Sequence, residues 1–228
     1  PKDDRINRML EIDDLQGAIF DLDGTLIDSM EIWREIDEEF FAARGMSVPD
    51  DYQEKIAHLG FREVAAYTVR EYLPSERAED LISEWNEMCR AKYGARDSAK
   101  YFKEGAAELV VRLKNAGLRL CVATASSPDF FLPVLRAGGV DRAFECVVTV
   151  DDVKKDKSYP DIFLRCAQKL GLPPGKIAVF EDNLTAIRSA KRAGMKTVAV
   201  YDKISEAQVP ALKREADRFI YRFAELKI

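Results

Sequence analysis

Histidine is almost absent. His58 is the single one in 228 residues, so a His-based triad and a multi-histidine zinc site are excluded by count. Cysteine is sparse as well. Cys89, Cys121, Cys146 and Cys166 show no C-x-x-C spacing, and Cys121 and Cys146 lie in apolar runs. They read as reduced thiols packed like small hydrophobes, which points to a cytoplasmic protein. No apolar run approaches the ~18 residues of a membrane span, so no membrane association is expected. Blocks of Lys and Arg are missing too. With 35 basic against 40 acidic residues and a net charge of -5, the chain carries no electrostatic footprint for nucleic acid. Residues 1–16 are charged and lack the cationic-then-apolar order of a signal peptide, so they read as a loosely attached lead-in. There is no internal repeat and no low-complexity tract.

What is present changes character along the chain. Residues 19–22 are a short apolar run that ends in acids, glycine and threonine, the pattern of a buried strand. From about residue 30 to 93 the pattern is helical. Trp33, Ile36, Phe40 and Phe41 fall at helical spacing before Gly45; Tyr52, Ile56 and Leu59 follow Pro49; Phe61, Val64, Thr68 and Tyr72 precede Pro74. Ser75 is a candidate cap for a fourth helix carrying Ile82, Trp85 and Cys89. These aromatic stripes read as the core of a small helical domain.

After a polar connector over residues 95–103, helices and strands alternate. Helices are predicted over 104–116, 161–170 and 184–193, and another starts at Pro128 and is closed by Gly138 and Gly139. Strands are predicted over 118–123, 146–150, 176–180 and 196–201, with a short edge strand over 218–221. Such alternation predicts an α/β fold, a doubly wound, Rossmann-like parallel sheet core with an inserted all-α cap. The division reads as core over 1–29, helical cap over 30–97 and core over 98–228. Open α/β sheets bind ligands at the carboxyl ends of their strands, and a helical insert at that point reads as a lid.

Chemistry-bearing residues sit just past the predicted strands. The first strand leads into Asp21 and Asp23, the second into Thr124, Ala125 and Ser126. The third is followed by Lys157, and the fourth by Glu181 and Asp182. A parallel sheet brings all of them to one rim. Acidic oxygens there hold Mg²⁺. A hydroxyl and backbone N–H groups at a helix start bind phosphate. A lysine offsets the negative charge that collects around a transferring phosphoryl group. Lys154 and Lys155 read as solvated charges.

The chain resembles the haloacid dehalogenase (HAD) superfamily. Asp21-Leu22-Asp23-Gly24-Thr25-Leu26 is similar to its first motif, and Thr124 stands at its second-motif Ser/Thr. Lys157 with Pro160-Asp161-Ile162-Phe163 resembles the third motif, although Ser158-Tyr159 departs from the common Lys-Pro-x-Pro. Val179-Phe180-Glu181-Asp182-Asn183 resembles the fourth. The subgroup resembled carries a helical cap after the first strand and contains β-phosphoglucomutases and phosphoglycolate phosphatases. Ala186 stands where relatives usually have Gly and reads as a packing variant, while Asp28 and Ser29 shape the turn into the cap.

The resemblance implies a Mg²⁺-dependent phosphatase acting on a small phosphorylated metabolite. Asp21 is then the nucleophile that forms an aspartyl-phosphate, and Asp23 the acid and base. Mg²⁺ is bound by Asp21, the Asp23 carbonyl, Asp182 and Glu181. Thr124, the Ala125 N–H and Lys157 hold the phosphoryl group. Asp23 speaks against dehalogenation, which has no ester oxygen to protonate. The alternatives are a sugar-phosphate mutase and a non-catalytic HAD-fold binding protein. The mutase is weakened because Trp33 stands where β-phosphoglucomutases have a cap histidine; the binder is weakened because no acid is lost. Arg62, Trp33 and His58 are the cap candidates for substrate contact, each with a structural alternative: a solvated residue, hinge core and a hydrogen-bonded core residue. No apolar stripe demands a partner, so a monomer is expected.

Overall fold

The computed structural model describes residues 14–56, 61–126 and 128–226. His58 and Leu59 lie outside the described residues, as does most of the lead-in. The chain divides into two compact units: Met30–Ala95 form one, and the described residues on either side form the other.

The larger unit is built on one sheet. Its strands are β1 (Gly17–Phe20), β2 (Arg119–Thr124), β3 (Cys146–Thr149), β4 (Ile177–Glu181), β5 (Lys196–Val200) and β6 (Arg218–Ile220). Their order is β3-β2-β1-β4-β5-β6, and every neighbouring pair is parallel. β1 and β4 are buried at every residue, as strands covered on both faces must be. The edge strands β3 and β6 are only partly buried. The chain crosses from one half of the sheet to the other between β1 and β4, the place where such sheets open a crevice.

Ten helices are described: α1 (Ser29–Ala42), α2 (Tyr52–Ile56), α3 (Phe61–Tyr72), α4 (Ala78–Gly94), α5 (Ala106–Asn115), α6 (Pro128–Ala137), α7 (Val150–Val153), α8 (Asp161–Leu170), α9 (Leu184–Arg192) and α10 (Val209–Glu215). α8 buries Ile162, Phe163, Cys166 and Leu170 in one core with Ile19, Cys121, Val148 and Val179. Ala186 and Ala190 of α9 belong to the same core, so Ala186 is a packing residue. Ile187 faces Ala199 and Leu212. None of the four cysteines is in a disulfide, and no described helix is long and apolar enough to cross a membrane.

Element boundaries shift for local reasons. β1 spans Gly17–Phe20 instead of the predicted 19–22. The Asp21 N–H still reaches the Phe180 carbonyl at 2.9 Å, but the Leu22 carbonyl is claimed by the Thr25 and Ile27 N–H groups of a tight turn. α5 starts at Ala106 instead of 104 because Gly105 before it has a left-handed backbone. Ser75 is not a cap: Glu76 N–H donates to the Leu73 carbonyl in a turn, and α4 begins at Ala78 without a side-chain cap. α7 was not predicted; it is a single turn closed by a Thr149–Asp152 capping box.

The smaller unit holds α1 to α4 around the predicted aromatic stripe. Phe40 meets Phe41 at 5.4 Å and Trp85 at 5.3 Å, and Phe41 meets Tyr52 at 5.1 Å, all edge to face. That geometry suits the ring quadrupoles. The Arg44 guanidinium lies 3.8 Å over Phe40 and bonds to Glu76 and Glu84, tying α1 to the turn before α4 and to α4 itself. Trp33 packs against Phe61 at 5.5 Å, and Phe61 against Trp85 at 5.7 Å. Trp33 is therefore part of this unit's packing.

One acid in the smaller unit is costly. Asp37 is buried and accepts from Gln53 Nε2 at 2.5 Å. Burial pushes its carboxyl up from 3.8 to about 6, against the Gln53 bond that pulls it down. The folded protein thus holds a proton here that the unfolded chain releases. Stability from this group falls as pH rises from about 4 to about 6 and stays level above. Asp37→Asn is expected to raise the apparent melting midpoint at pH 7.5, by up to about 3 kcal/mol equivalent, with little gain at pH 4.5. Equal shifts at both pH values in thermal melts would refute this.

Candidate active site

Parallel register places the ends of β1, β2 and β4 side by side. Phe20 pairs with Val122 on one side and Phe180 on the other, so Asp21 emerges beside Glu181. Asp21, Glu181 and Asp182 are all buried, at 5%, 2% and 9% exposure. One carboxylate oxygen of each lies within 4.8 Å of the others. Three acids in so small a buried space repel one another and have lost water. Burial raises Glu181 well above the ordinary value, and the Asp21 charge adds to it. Burial, Asp21 and then Asp202 push Asp182 up to about 7.

The counter-charge comes from Lys157, in the loop between α7 and α8. Its Nζ donates to Asp21 Oδ1 and to Glu181 Oε2 at 2.9 Å. Burial works against the ammonium, but the Asp21 and Glu181 charges outweigh it and raise the Lys157 pKa. The sequence departure at Ser158 and Tyr159 has a structural substitute. Asp156 Oδ1 accepts from the Ser158 N–H at 2.8 Å, and Arg192 Nη2 donates to the Ser158 carbonyl. These bonds shape the loop where a proline would have stiffened it. Lys155 pairs with Asp161 at 2.8 Å on the surface, and Lys154 is exposed.

One lysine does not balance three acids. Asp21 Oδ2 is buried and has no hydrogen-bond partner. An orphaned carboxylate oxygen among all-oxygen donors fits a hard divalent cation such as Mg²⁺.

Asp23 lies one turn residue beyond Leu22 and is half-buried. Its Oδ2 accepts from Ser126 Oγ at 2.5 Å. Thr124, fully buried at the end of β2, accepts from the Ser126 N–H at 2.9 Å. That bond uses an oxygen lone pair and leaves the hydroxyl hydrogen to donate. Ala125 is exposed just beyond it. Asp182 accepts from Ser205 Oγ at 3.1 Å. Asp21, Asp23, Thr124, Ala125, Lys157, Glu181 and Asp182 therefore collect at one end of one sheet. Arg62 is exposed on the first turn of α3 in the smaller unit, and Trp33 packs there on Phe61.

The sequence model of the haloacid dehalogenase-like hydrolases matches residues 18–200.

The chain belongs to that family.

Among its relatives, the protein CbbY of Rhodobacter capsulatus is 32% identical over 193 residues, covering 81% of this chain and 85% of the relative. The N-acetylmuramic acid 6-phosphate phosphatase of Pseudomonas aeruginosa is 29% identical, covering 86% and 87%. A crystal structure of a CbbY variant from Rhodobacter sphaeroides in complex with xylulose-(1,5)bisphosphate has a TM-score of 0.73 at 28% identity, covering 93% of this chain and 96% of that one. The HAD-like resemblance carried by the motifs and the doubly wound parallel sheet expected from the alternation of helices and strands are both correct, and the chain is a hydrolase of this family.

Ser126, read in the sequence among the residues just past the second strand, gains its role from the bond to Asp23. Three other contributors were missed in the sequence. Ser205, Asp202 and Lys103 lie in loops with no spacing signal. Gly24 has a requirement the motif alone does not explain. Its φ is +83°, and a Cβ there would stand 2.8 Å from Asp182 Oδ2. Gly24→Ala combines backbone strain with a displaced Asp182. It is expected to cost roughly 1–3 kcal/mol in denaturant unfolding, more than an exposed Gly→Ala elsewhere; unchanged stability would contradict that packing.

Proposed function

We propose that this chain is a Mg²⁺-dependent phosphatase of a small phosphorylated sugar, working through an aspartyl-phosphate on Asp21. The observation that carries the reading is Lys157 bridging Asp21 and Glu181 while the second oxygen of Asp21 stays buried and unpartnered. Such a group is poised for a cation and an anionic substrate. The sugar-phosphate class is supported by the relatives, one named as a phosphatase of a sugar-acid phosphate and one solved with a sugar bisphosphate.

Asp21, Glu181, Asp182 and the Asp23 carbonyl would hold Mg²⁺. When bound, it neutralises charge between the anionic nucleophile and the anionic phosphate. The steps belong to the chain's own residues. Asp21 attacks phosphorus while the bond to the ester oxygen breaks. Asp23 gives its proton to that leaving oxygen, and the alcohol departs. Asp23 then takes a proton from water, whose oxygen attacks phosphorus and releases Asp21 and inorganic phosphate. Ser126 fixes the Asp23 side chain for both transfers. The Thr124 hydroxyl and the Ala125 N–H hold phosphate oxygens, and Lys157 stays between Asp21 and the phosphoryl group. Of the candidates in the smaller unit, Arg62 is exposed and suited to a second anionic group, Trp33 packs on Phe61, and His58 lies outside the described residues.

The test is phosphate release from a panel of sugar phosphates with Mg²⁺, with and without a chelator. Asp21→Asn is expected to abolish release with the fold intact, and chelation to do the same in the unmodified protein. Asp23→Asn is expected to lower kcat by about 10²–10⁴. Full activity in Asp21→Asn would overturn the mechanism. Conversion of a sugar 1-phosphate to its 6-phosphate without free phosphate would turn the reading to a mutase.

A further inference from the structure

An ammonium group has three N–H donors. In Lys103 all three are used, and all by loops. Lys103 Nζ donates to the Gly24 carbonyl, to the Tyr201 carbonyl at 2.8 Å and to Asp202 Oδ2 at 2.7 Å. Asp202 is buried and Lys103 partly so, their side chains being 5% and 17% exposed. Lys103 ends the connector that the sequence showed only as polar, and its own N–H anchors it to the Leu26 carbonyl at 2.9 Å.

Two of the acceptors, Gly24 and Asp202, lead to the same carboxylate. Gly24 follows Asp23 directly, and it runs so close to Asp182 that a Cβ there would stand 2.8 Å from Asp182 Oδ2. Asp202 shapes the loop after β5. Its Oδ1 accepts from the Ile204 N–H at 2.9 Å, and its carbonyl accepts from the Ser205 N–H at 3.1 Å. That turn presents Ser205 Oγ to Asp182 Oδ2 at 3.1 Å. One ammonium thus locks the loop after β1 to the loop after β5, and both loops touch Asp182. It also neutralises Asp202, whose bare charge would add to the crowd of acids.

We propose that Lys103 is a positioning residue for the metal-binding acids: through the Gly24 carbonyl on one side and Asp202 and Ser205 on the other, it sets where the Asp182 carboxylate and the Asp23 backbone stand. This rests on the reading of Asp182 and the Asp23 carbonyl as metal ligands. Partners behind a ligand shell tune affinity by orienting the ligands. A purely structural lysine would change the melting midpoint and leave the affinity of the folded protein for metal alone.

The experiment is Mn²⁺ binding to the full chain, by calorimetry or electron paramagnetic resonance, without substrate. Lys103→Met and Asp202→Asn are expected to weaken Mn²⁺ binding about tenfold or more while circular dichroism stays native, and kcat to fall with KM unchanged. Ser205→Ala removes one hydroxyl and keeps the Lys103 pair; it is expected to weaken binding in the same direction by a smaller factor. Native Mn²⁺ affinity in folded Lys103→Met would overturn the proposal. If Lys103→Met does not fold, native affinity in folded Asp202→Asn overturns it, and weakened affinity there supports it. If the unmodified protein binds no Mn²⁺, the reading of the acids as a metal centre fails, and this proposal falls with it. Binding by the unmodified protein with no change in the variants removes this proposal alone.

Discussion

The large unit depends on keeping several carboxylates out of water at one sheet end. Coulomb repulsion and lost hydration both oppose it. Lys157 makes it tolerable, since removing one partner of such a buried pair leaves an uncompensated charge that costs roughly 3–5 kcal/mol. The rest of the rim is arranged around that expense. Ser205 satisfies Asp182, Ser126 satisfies Asp23, and Lys103 satisfies Asp202. A remaining deficit is the orphan oxygen of Asp21; on the proposed reading, a cation and an anionic substrate would relieve it.

Much of this was legible in the sequence because it follows from local pattern. The apolar run before Asp21, the helix start after Thr124 and the pair Glu181-Asp182 each mark the carboxyl end of a strand, and parallel pairing carries strand ends to one rim. Lys157 was harder, since its loop lacks the proline that would fix its position. Asp156 and Arg192 supply the shape instead, and neither has any periodic mark in the sequence. Lys103, Asp202 and Ser205 were invisible for a related reason. Their contacts join loops far apart in the chain; Lys103 and Asp202 are 99 residues apart, and nothing local announces such a pair. Ser75 misled because a cap residue signals a helix only where the preceding backbone is free to enter one, and the 73–76 turn prevents that.

The smaller unit follows a different logic. Its stability lies in edge-to-face rings and in Arg44, which stacks on Phe40 while pairing with Glu76 and Glu84. An arginine used this way serves through its flat face and its fork at once, which lysine cannot do. Asp37 is the exception in that core, a buried acid held by the Gln53 amide. Its presence costs stability at neutral pH, so it marks a position where the helical unit is tuned away from maximal stability.

The position of β1 in the sheet has a consequence for how the chain is made. β1 is central, with β2 on one side and β4 on the other, and both come later in the chain. As synthesis proceeds, an apolar segment meant for the middle of a sheet must wait while residues of the helical unit emerge. The rings and ion pairs described for that unit join residues within 30–95, so none of these contacts has to wait for the partners of β1. Asp21 and Lys157 are 136 residues apart. The counter-charge therefore emerges only after β1, β2 and β3, with β4, β5 and β6 still to come. Glu181 and Asp182 follow later still, so the cluster of Asp21, Lys157, Glu181 and Asp182 is complete only when β4 has been made.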